Sequence, residues 1–367
     1  MVSTTYIFLF FLSLSVTLVG LFFSKYILLL IKTPEDIIQQ AKIYLDITFI
    51  GIFFLFGYNG VSALLRGMGD SKTPLYLLII ATILNIILDL LFVLVFKWGI
   101  AGAAWATIIS QGVSFISGLI YLKIKDSVLK LNLKELHFNS EFLFRSLKIG
   151  IPSGIQQISV AIGMMAITRI VNTFGTETLA GFTAAQRIDG FAAMPAMNFS
   201  IALSTFTGQN IGANRLDRIK SGVKATFLIS TIFSLIITII IITFSKELIQ
   251  LFNRDPEVIR IGKEYLVIVS SFYIAFALMF VFNAVARGAG ATFIPMLITI
   301  SSLWFLRVPI SYTLSKYIGT KGIWWGIPIA WIFGAIASFI YYKSDNWKKH
   351  INLKIIQKED IIIESGG

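Results

Sequence analysis

Cysteine is absent from all 367 residues, which excludes disulfides and thiolate metal sites. Histidine is nearly absent as well: His137 and His350 are the two, and both fall in polar segments outside the apolar runs. Charge is scarce, with Asp, Glu, Lys and Arg together at 14%, whereas 56% of the residues are apolar and 32 are Phe. With a mean hydropathy of +0.82, a soluble domain could not hide this much apolar surface, but a bilayer accepts it. Strict alternation of apolar and polar residues is also missing, so a membrane β-barrel is excluded. Met1–Phe23 lacks the basic leader of a signal peptide, and its end aligns with the end of an internal apolar run; it reads as a true span.

What is present is a series of apolar runs, each near the ~20 residues needed to cross ~30 Å of hydrocarbon. Ten are expected, at 5–30, 41–64, 75–96, 99–122, 149–172, 179–206, 223–244, 262–285, 293–315 and 322–342. All should be helices, because lipid offers the backbone no hydrogen-bond partner.

The chain also matches itself at an offset of 221. Phe23-Ser24-Lys25 falls on Phe244-Ser245-Lys246, and Lys42, Tyr44 and Leu45 fall on Lys263, Tyr265 and Leu266. Arg66-Gly67-Met68-Gly69 falls on Arg287-Gly288-Ala289-Gly290, and Pro74 on Pro295. One residue is then lost from the offset, so Gly102 and Trp105 meet Gly322 and Trp325. A register held this well indicates duplication, and two homologous lobes with a site between them are the usual plan of secondary transporters. Residues 146–222 have no partner; their counterpart would begin about 75 residues before Met1, so two further spans are expected for the first lobe.

The net charge of +12 raises the question of a nucleic-acid partner, and its distribution answers it. With a cytoplasmic entry, 18 Lys and Arg fall in inside segments and 10 in outside ones, the rest of the 31 being Arg169, Arg187 and Arg307 within spans. This bias follows the positive-inside rule. It places both termini in the cytoplasm and argues against nucleic acid. The organisation that follows is a first lobe at 1–122, a cytoplasmic linker at 123–148 with a short amphipathic helix on the inner membrane surface, a second lobe at 149–343, and a cytoplasmic tail at 344–367.

Ionisable residues inside spans cost at least ~2.5–3.5 kcal/mol at the bilayer centre and persist when they face a cavity or a partner. Asp89 lies about two-thirds along its span, and Asn85 one turn earlier puts an amide on the same helix face. That pair is a half-site for Na+, which takes hard oxygen ligands, or for a proton held on the carboxylate; a polar pair bridging helices is the plainer alternative. Asp46 sits beside Lys42 at i−4 and reads as a surface pair. Asp189 follows Arg187 closely, leaving a local ion pair and a substrate contact both open. Arg307 needs an acceptor at depth, which carbonyls freed by a break at Pro309 could supply; Arg169 can snorkel. Pro152, Pro195, Pro309 and Pro328 lie deep in spans and are expected to kink them. Met164, Phe191, Met194 and Met197 could form an adaptable wall for bulky cations, or simply pack between helices.

Gly208-Gln209-Asn210-Ile211-Gly212-Ala213-Asn214, following Arg187-Ile188-Asp189 and Met194-Pro195-Ala196, resembles the multidrug and toxic compound extrusion (MATE) family. Arg66-Gly67-Met68-Gly69 and Arg287-Gly288-Ala289-Gly290 resemble its paired turns after the fourth and tenth helices, and Arg307-Val308-Pro309 its eleventh-helix motif. The resemblance covers nearly the whole chain and implies a twelve-helix, two-lobe, all-α membrane fold, of which this sequence carries helices three to twelve. It implies a cation-coupling site at Asn85, Asp89 and Thr107. Where some branches carry acids in the second lobe, this sequence has the amides Gln156 and Gln157, and 262–285 has no acid after Glu264. Those glutamines are grouped with Asp189, Met164, Phe191, Met194, Met197 and Arg307 as expected cavity residues.

The function implied is export of organic cations or drugs in exchange for Na+ or H+, by a monomer in the plasma membrane, with the transported ion taking the place of any resident cofactor. Within the superfamily the alternative is a flippase for lipid-linked oligosaccharides, which should line its cavity with several Arg or Lys for pyrophosphate; Arg307 alone is deeply placed. A non-transporting remnant is a further alternative. An enzyme is disfavoured, because no buried carboxylate pair is available for acid–base work.

Overall fold

The computed structural model describes residues 2–30, 33–125 and 137–351, and all regular structure among them is helical. The chain divides into two compact units, Met1–Ser146 and Leu147–Gly367.

The first unit holds α1 (Val2–Leu30), α2 (Glu35–Gly67), α3 (Lys72–Asp89) and α4 (Gly99–Ile124). Helix α2 begins with Glu35 and Asp36 and ends with Arg66, charges that complement its dipole. Helix α3 passes without a break into a π-helical stretch, Leu90–Val95. The chain then turns at Lys97 and Gly99, both with φ of +56°, under a cluster in which Phe92 lies 5.9 Å from Phe96 and 4.9 Å from Trp98. Helix α2 packs against α1 and α4, and α3 against α4. Val61, Leu65 and Leu122 form one buried knot, and Ile47, Ala104 and Ile108 another.

The second unit holds most of α5 (Ser140–Asn172), then α6 (Thr176–Gly212), α7 (Leu216–Thr243), the short α8 (Ser245–Gln250), α9 (Pro256–Ser270), α10 (Tyr273–Gly288), α11 (Phe293–Ser301), α12 (Val308–Ile318) and α13 (Thr320–Lys343). A π-helical stretch, Ser302–Arg307, joins α11 to α12. The neighbour pairs repeat those of the first unit: α7 with α10, α10 with α13, and α12 with α13. The core is built on Phe182, stacked on Trp324 at 5.4 Å and set edge-on to Tyr265 at 5.7 Å.

The duplication is clearest at the two Arg-Gly-x-Gly turns. Gly69 and Gly290 adopt φ of +89° and +79°, a left-handed conformation in which a Cβ is strained. In each turn the next residue's amide reaches back five residues, from Asp70 to Leu65 at 2.9 Å and from Ala291 to Ala286 at 2.8 Å. Both helices therefore end on the same hydrogen-bonded cap.

Several expectations change. Eight described helices are long and apolar enough to cross a membrane, and a ninth span is reached by pairing α9 with α10. The expected span 179–206 lies in α6, which is long at 37 residues but carries Gln186, Arg187 and Asp189 within that length. The span 262–285 is not one rod: it breaks between Ser270 and Tyr273 with a 47° bend, at a sequence without proline. Conversely Pro152, Pro195 and Pro328 lie within uninterrupted helices. Helix α5 starts at Ser140, inside the expected linker 123–148, because Asn139 accepts a hydrogen bond from the Phe142 amide at 2.9 Å and caps its first turn. The amphipathic helix expected in the linker and the apolar patch Ile361-Ile362-Ile363 of the tail lie on or beside 126–136 and 352–367, outside the described residues.

Large apolar side chains are exposed along most helices, among them Phe22, Leu94, Ile124, Ile239, Phe305 and Ile340. In water such a surface would be costly, at roughly 25 cal/mol per Å2; against acyl chains it is at home.

Candidate functional site

Helix α3 and helix α4 bring two of the three expected coupling residues of the first unit, Asn85 and Thr107, into contact. The Asn85 amide nitrogen donates to Thr107 Oγ1 at 3.5 Å, and the Thr107 hydroxyl donates onward to the Ala103 carbonyl at 3.0 Å. The first of these sits at the outer limit of a hydrogen bond, so the pair is a loose contact rather than a locked one. Asp89, one turn beyond Asn85, is the last α-helical residue before the π stretch. Single π turns recur at functional positions because they displace side chains from the regular helical register. Asp89 Oδ1 is buried and has no hydrogen-bond partner among the described residues. An unpartnered carboxylate oxygen in an apolar span is costly unless something binds it. Carboxylate, hydroxyl and amide oxygens are together the hard donor set that suits Na+, and the free oxygen also suits a proton.

The second unit holds a different arrangement. Asp189 on α6 accepts from the Tyr273 hydroxyl at 2.7 Å and from the Tyr265 hydroxyl at 3.2 Å. Its neighbour Arg187 turns away, its guanidinium 5.9 Å from the Phe252 ring centroid. The local ion pair left open on sequence is therefore replaced by contacts to side chains more than 75 residues away, which no local spacing could reveal. Arg307, on the π stretch before Pro309, lies within electrostatic range of Asp189 and Tyr265, but its Nε is buried without a hydrogen-bond partner among the described residues. The break expected at Pro309 does not occur, since Phe293–Ile318 runs as one continuous span, and no freed carbonyl reaches that atom. Arg307 acts on Asp189 as a counter-charge rather than as a ligand.

The other expected cavity residues are dispersed over the unit. Gln156 donates to Thr299 Oγ1 at 2.6 Å, tying α5 to α11, while Gln157 is exposed. Phe191, Met194 and Met197 are exposed on α6, and Met164 is half-buried on α5. Phe191, Met194 and Met197 thus lie on the unit's surface, while Met164 is partly packed.

The glycine motifs turn out to be structural and to touch one another. A Cβ on Gly208 would meet the Gly288 carbonyl at 3.4 Å, and one on Gly288 would lie 2.6 Å from Thr207 Cβ and against the Ser204 carbonyl. Helices α6 and α10 cross there at backbone distance. Arg287, next to that contact, donates to Ser200 on α6, and Ser200 in turn donates to the Phe280 carbonyl at 2.9 Å. The left-handed residue that ends α6 is Asn214, with φ of +53°, rather than Gly212, whose Cβ position is open. Asn210 donates its side chain to the Phe206 carbonyl at 2.8 Å inside the same turn. Gln209 and the first-unit residues Arg66 and Gly67 also make interactions in the structure.

The two Arg-Gly-x-Gly turns differ in one respect that sequence did not flag. Asp70 accepts from the Thr73 amide at 3.0 Å, the Thr73 hydroxyl at 2.8 Å, the Tyr121 hydroxyl at 3.0 Å and Lys125 Nζ at 3.4 Å. These bonds, the Thr73 amide foremost, hold its carboxyl far below the usual carboxylate range. In the second unit the repeat register replaces Asp70 with Ala291 and Tyr121 with Tyr341. The Tyr341 hydroxyl is buried with no partner among the described residues.

Comparison with known proteins adds to this geometry. The MatE family model matches residues 1–91 and 152–313. The chain is 40% identical over 329 residues to "Probable multidrug resistance protein YpnP" of Bacillus subtilis, a match covering 90% of this chain and 74% of that protein. It is 32% identical over 365 residues to "Probable multidrug resistance protein YoeA" of the same organism, covering 97% and 79%. Among solved structures, the outward-facing conformation of a multidrug resistance MATE family transporter of the MOP superfamily superposes with a TM-score of 0.89 at 23% identity, over 95% of this chain and 79% of the other.

Proposed function

This chain belongs to the MatE family, and from that premise we propose that it exports organic cations and drug-like compounds from the cytoplasm in exchange for Na+ or H+ entering the cell. It is a multi-pass membrane protein of a transporter family, not of an enzyme family. The membrane is the plasma membrane, with both termini on the cytoplasmic side, as the distribution of Lys and Arg favours. The observation that carries the coupling reading is Asp89. One of its oxygens is buried without a partner, beside the Asn85–Thr107 contact. Such a carboxylate gains more from a cation or proton than one already satisfied by donors, so occupancy at Asp89 shifts the population between two states of the carrier. Asp189 lacks this property, since two phenols and the Arg307 charge already serve it. The flippase alternative gains no support, because a pyrophosphate cavity calls for several Arg or Lys and Arg307 alone is deeply placed in the sequence.

The test is dye accumulation. Cells producing the protein should retain less ethidium than cells without it, and collapse of the Na+ or proton gradient should abolish the difference. Asp89→Asn keeps the shape but cannot exchange a proton or balance a cation, so it should lose gradient-driven export while remaining inserted. Normal export by Asp89→Asn at matched protein level would sink the coupling assignment.

A further inference from the structure

The break between α9 and α10 is not written into its own sequence. Val267-Ile268-Val269-Ser270-Ser271-Phe272-Tyr273 contains neither proline nor glycine, yet the axis turns by 47°. Sharp bends need an identifiable cause, such as a serine pair or a side chain inserted into the hydrogen-bond ladder. Both occur here. Ser270 and Ser271 are adjacent, and Thr238 on α7 donates to the Ser270 carbonyl at 2.7 Å, supplying a partner for a group the break releases. The third support is Asp189. Tyr265 lies in α9, before the break, and Tyr273 is the first residue of α10, after it. In a straight helix, eight residues separate two positions by about 12 Å along the axis and about 80° around it. In the bent span both phenols reach the two oxygens of one carboxylate.

The surroundings make this contact hard to replace. Tyr265 and Tyr273 are only 1% and 4% exposed, so neither hydroxyl can turn to bulk water. The Arg307 Nε is buried without a partner among the described residues, and the bonds that Asp189 receives there come from the tyrosines, one to each carboxylate oxygen. Removing the acceptor would strand two buried phenols, each left with the desolvation penalty of an unmet donor. A local rearrangement of the span is the cheaper response.

We propose that Asp189 is a positioning residue that clasps the two halves of the broken span through Tyr265 and Tyr273 and holds the bend, so that release of the clasp straightens α9 onto α10. Its effect on transport rests on the export reading above, whereas its effect on the bend does not.

The chain's lack of cysteine makes the test direct. Lys263→Cys on α9 and Phe293→Cys beyond α10 are exposed positions on either side of the break. Spin labels there, in the full chain in lipid nanodiscs without any dye, report the bend as a pulsed-dipolar distance. Straightening by the observed 47° lengthens it by about 3 Å, from helical rise alone. Tyr265→Phe combined with Tyr273→Phe removes only two oxygens and should lengthen or broaden the distance; Asp189→Asn should do likewise. Thr238→Val weakens a separate support and should shift it in the same direction. If Asp189→Asn fails to insert, the double phenylalanine variant decides. An unchanged, narrow distance in that variant overturns the clasp, whatever the export assay gives. Loss of export with an unchanged distance also counts against it, since Asp189 would then act on transport by another route.

Discussion

Asp70→Ala should destabilise the first unit by about 2–3 kcal/mol, and the figure can be built from the contacts. The side chain is 17% exposed, so most of its bonds are made out of water. The Thr73 amide it accepts at 3.0 Å is an orphan donor in the first turn of α3, and loss of such a cap costs about 1 kcal/mol. The Tyr121 hydroxyl, 3.0 Å away, would be left half-buried without its acceptor, at about 1–2 kcal/mol. Lys125 adds little, because its side chain is 57% exposed and the 3.4 Å contact is screened by solvent. The carboxyl is held below its ordinary value, first by the Thr73 amide, so its contribution is complete above an unfolded pKa of about 3.9. It is lost only as pH falls below that, through the lower folded value. The assay is the temperature at which the purified protein loses its monodisperse peak, for wild type and Asp70→Ala, at pH 7 and in acid. A drop at pH 7 that narrows in strong acid is expected. Equal stabilities at pH 7 would refute the contact-by-contact reasoning.

Three further outcomes are expected. In the dye assay Asn85→Ala should weaken coupling less than Asp89→Asn, since it removes one ligand rather than the charge, and Thr107→Ala should be mildest because water can replace a hydroxyl; a reversed order would move the site away from Asp89. Gly288→Ala should cost about 1–3 kcal/mol by overpacking against Thr207 and Ser204, whereas Gly212→Ala, with open space around its Cβ, should leave thermal stability unchanged or slightly raised; similar losses in the two would contradict the close crossing of α6 and α10. Single cysteines at Lys25, Thr176 and Lys321 should react with an impermeant thiol reagent on whole cells, and ones at Ser140 and Ser344 should not; the opposite pattern would invert the topology.

The sequence by itself determined the class, the helical fold and the duplication. Those follow from composition and from periodic signals carried along the chain, which lipid converts into helices because no other backbone structure is satisfied there. The spacing of Asn85 and Asp89 put their side chains on one face, and the turns at Gly69 and Gly290 were legible through the internal repeat and the family resemblance, their left-handed backbone emerging with the structure. Tertiary structure alone decided where the second unit bends and what Asp189 touches. Tyr265 and Tyr273 lie 76 and 84 residues from it, and Thr238, whose hydroxyl caps the break, lies 32 residues from Ser270. Pro152, Pro195 and Pro328, expected to kink their spans, are carried inside helices that continue through them, because neighbouring side chains and local adjustment can meet one lost hydrogen bond. The break that exists is held by partners from other helices, and a bend made that way leaves no mark in the residues that bend.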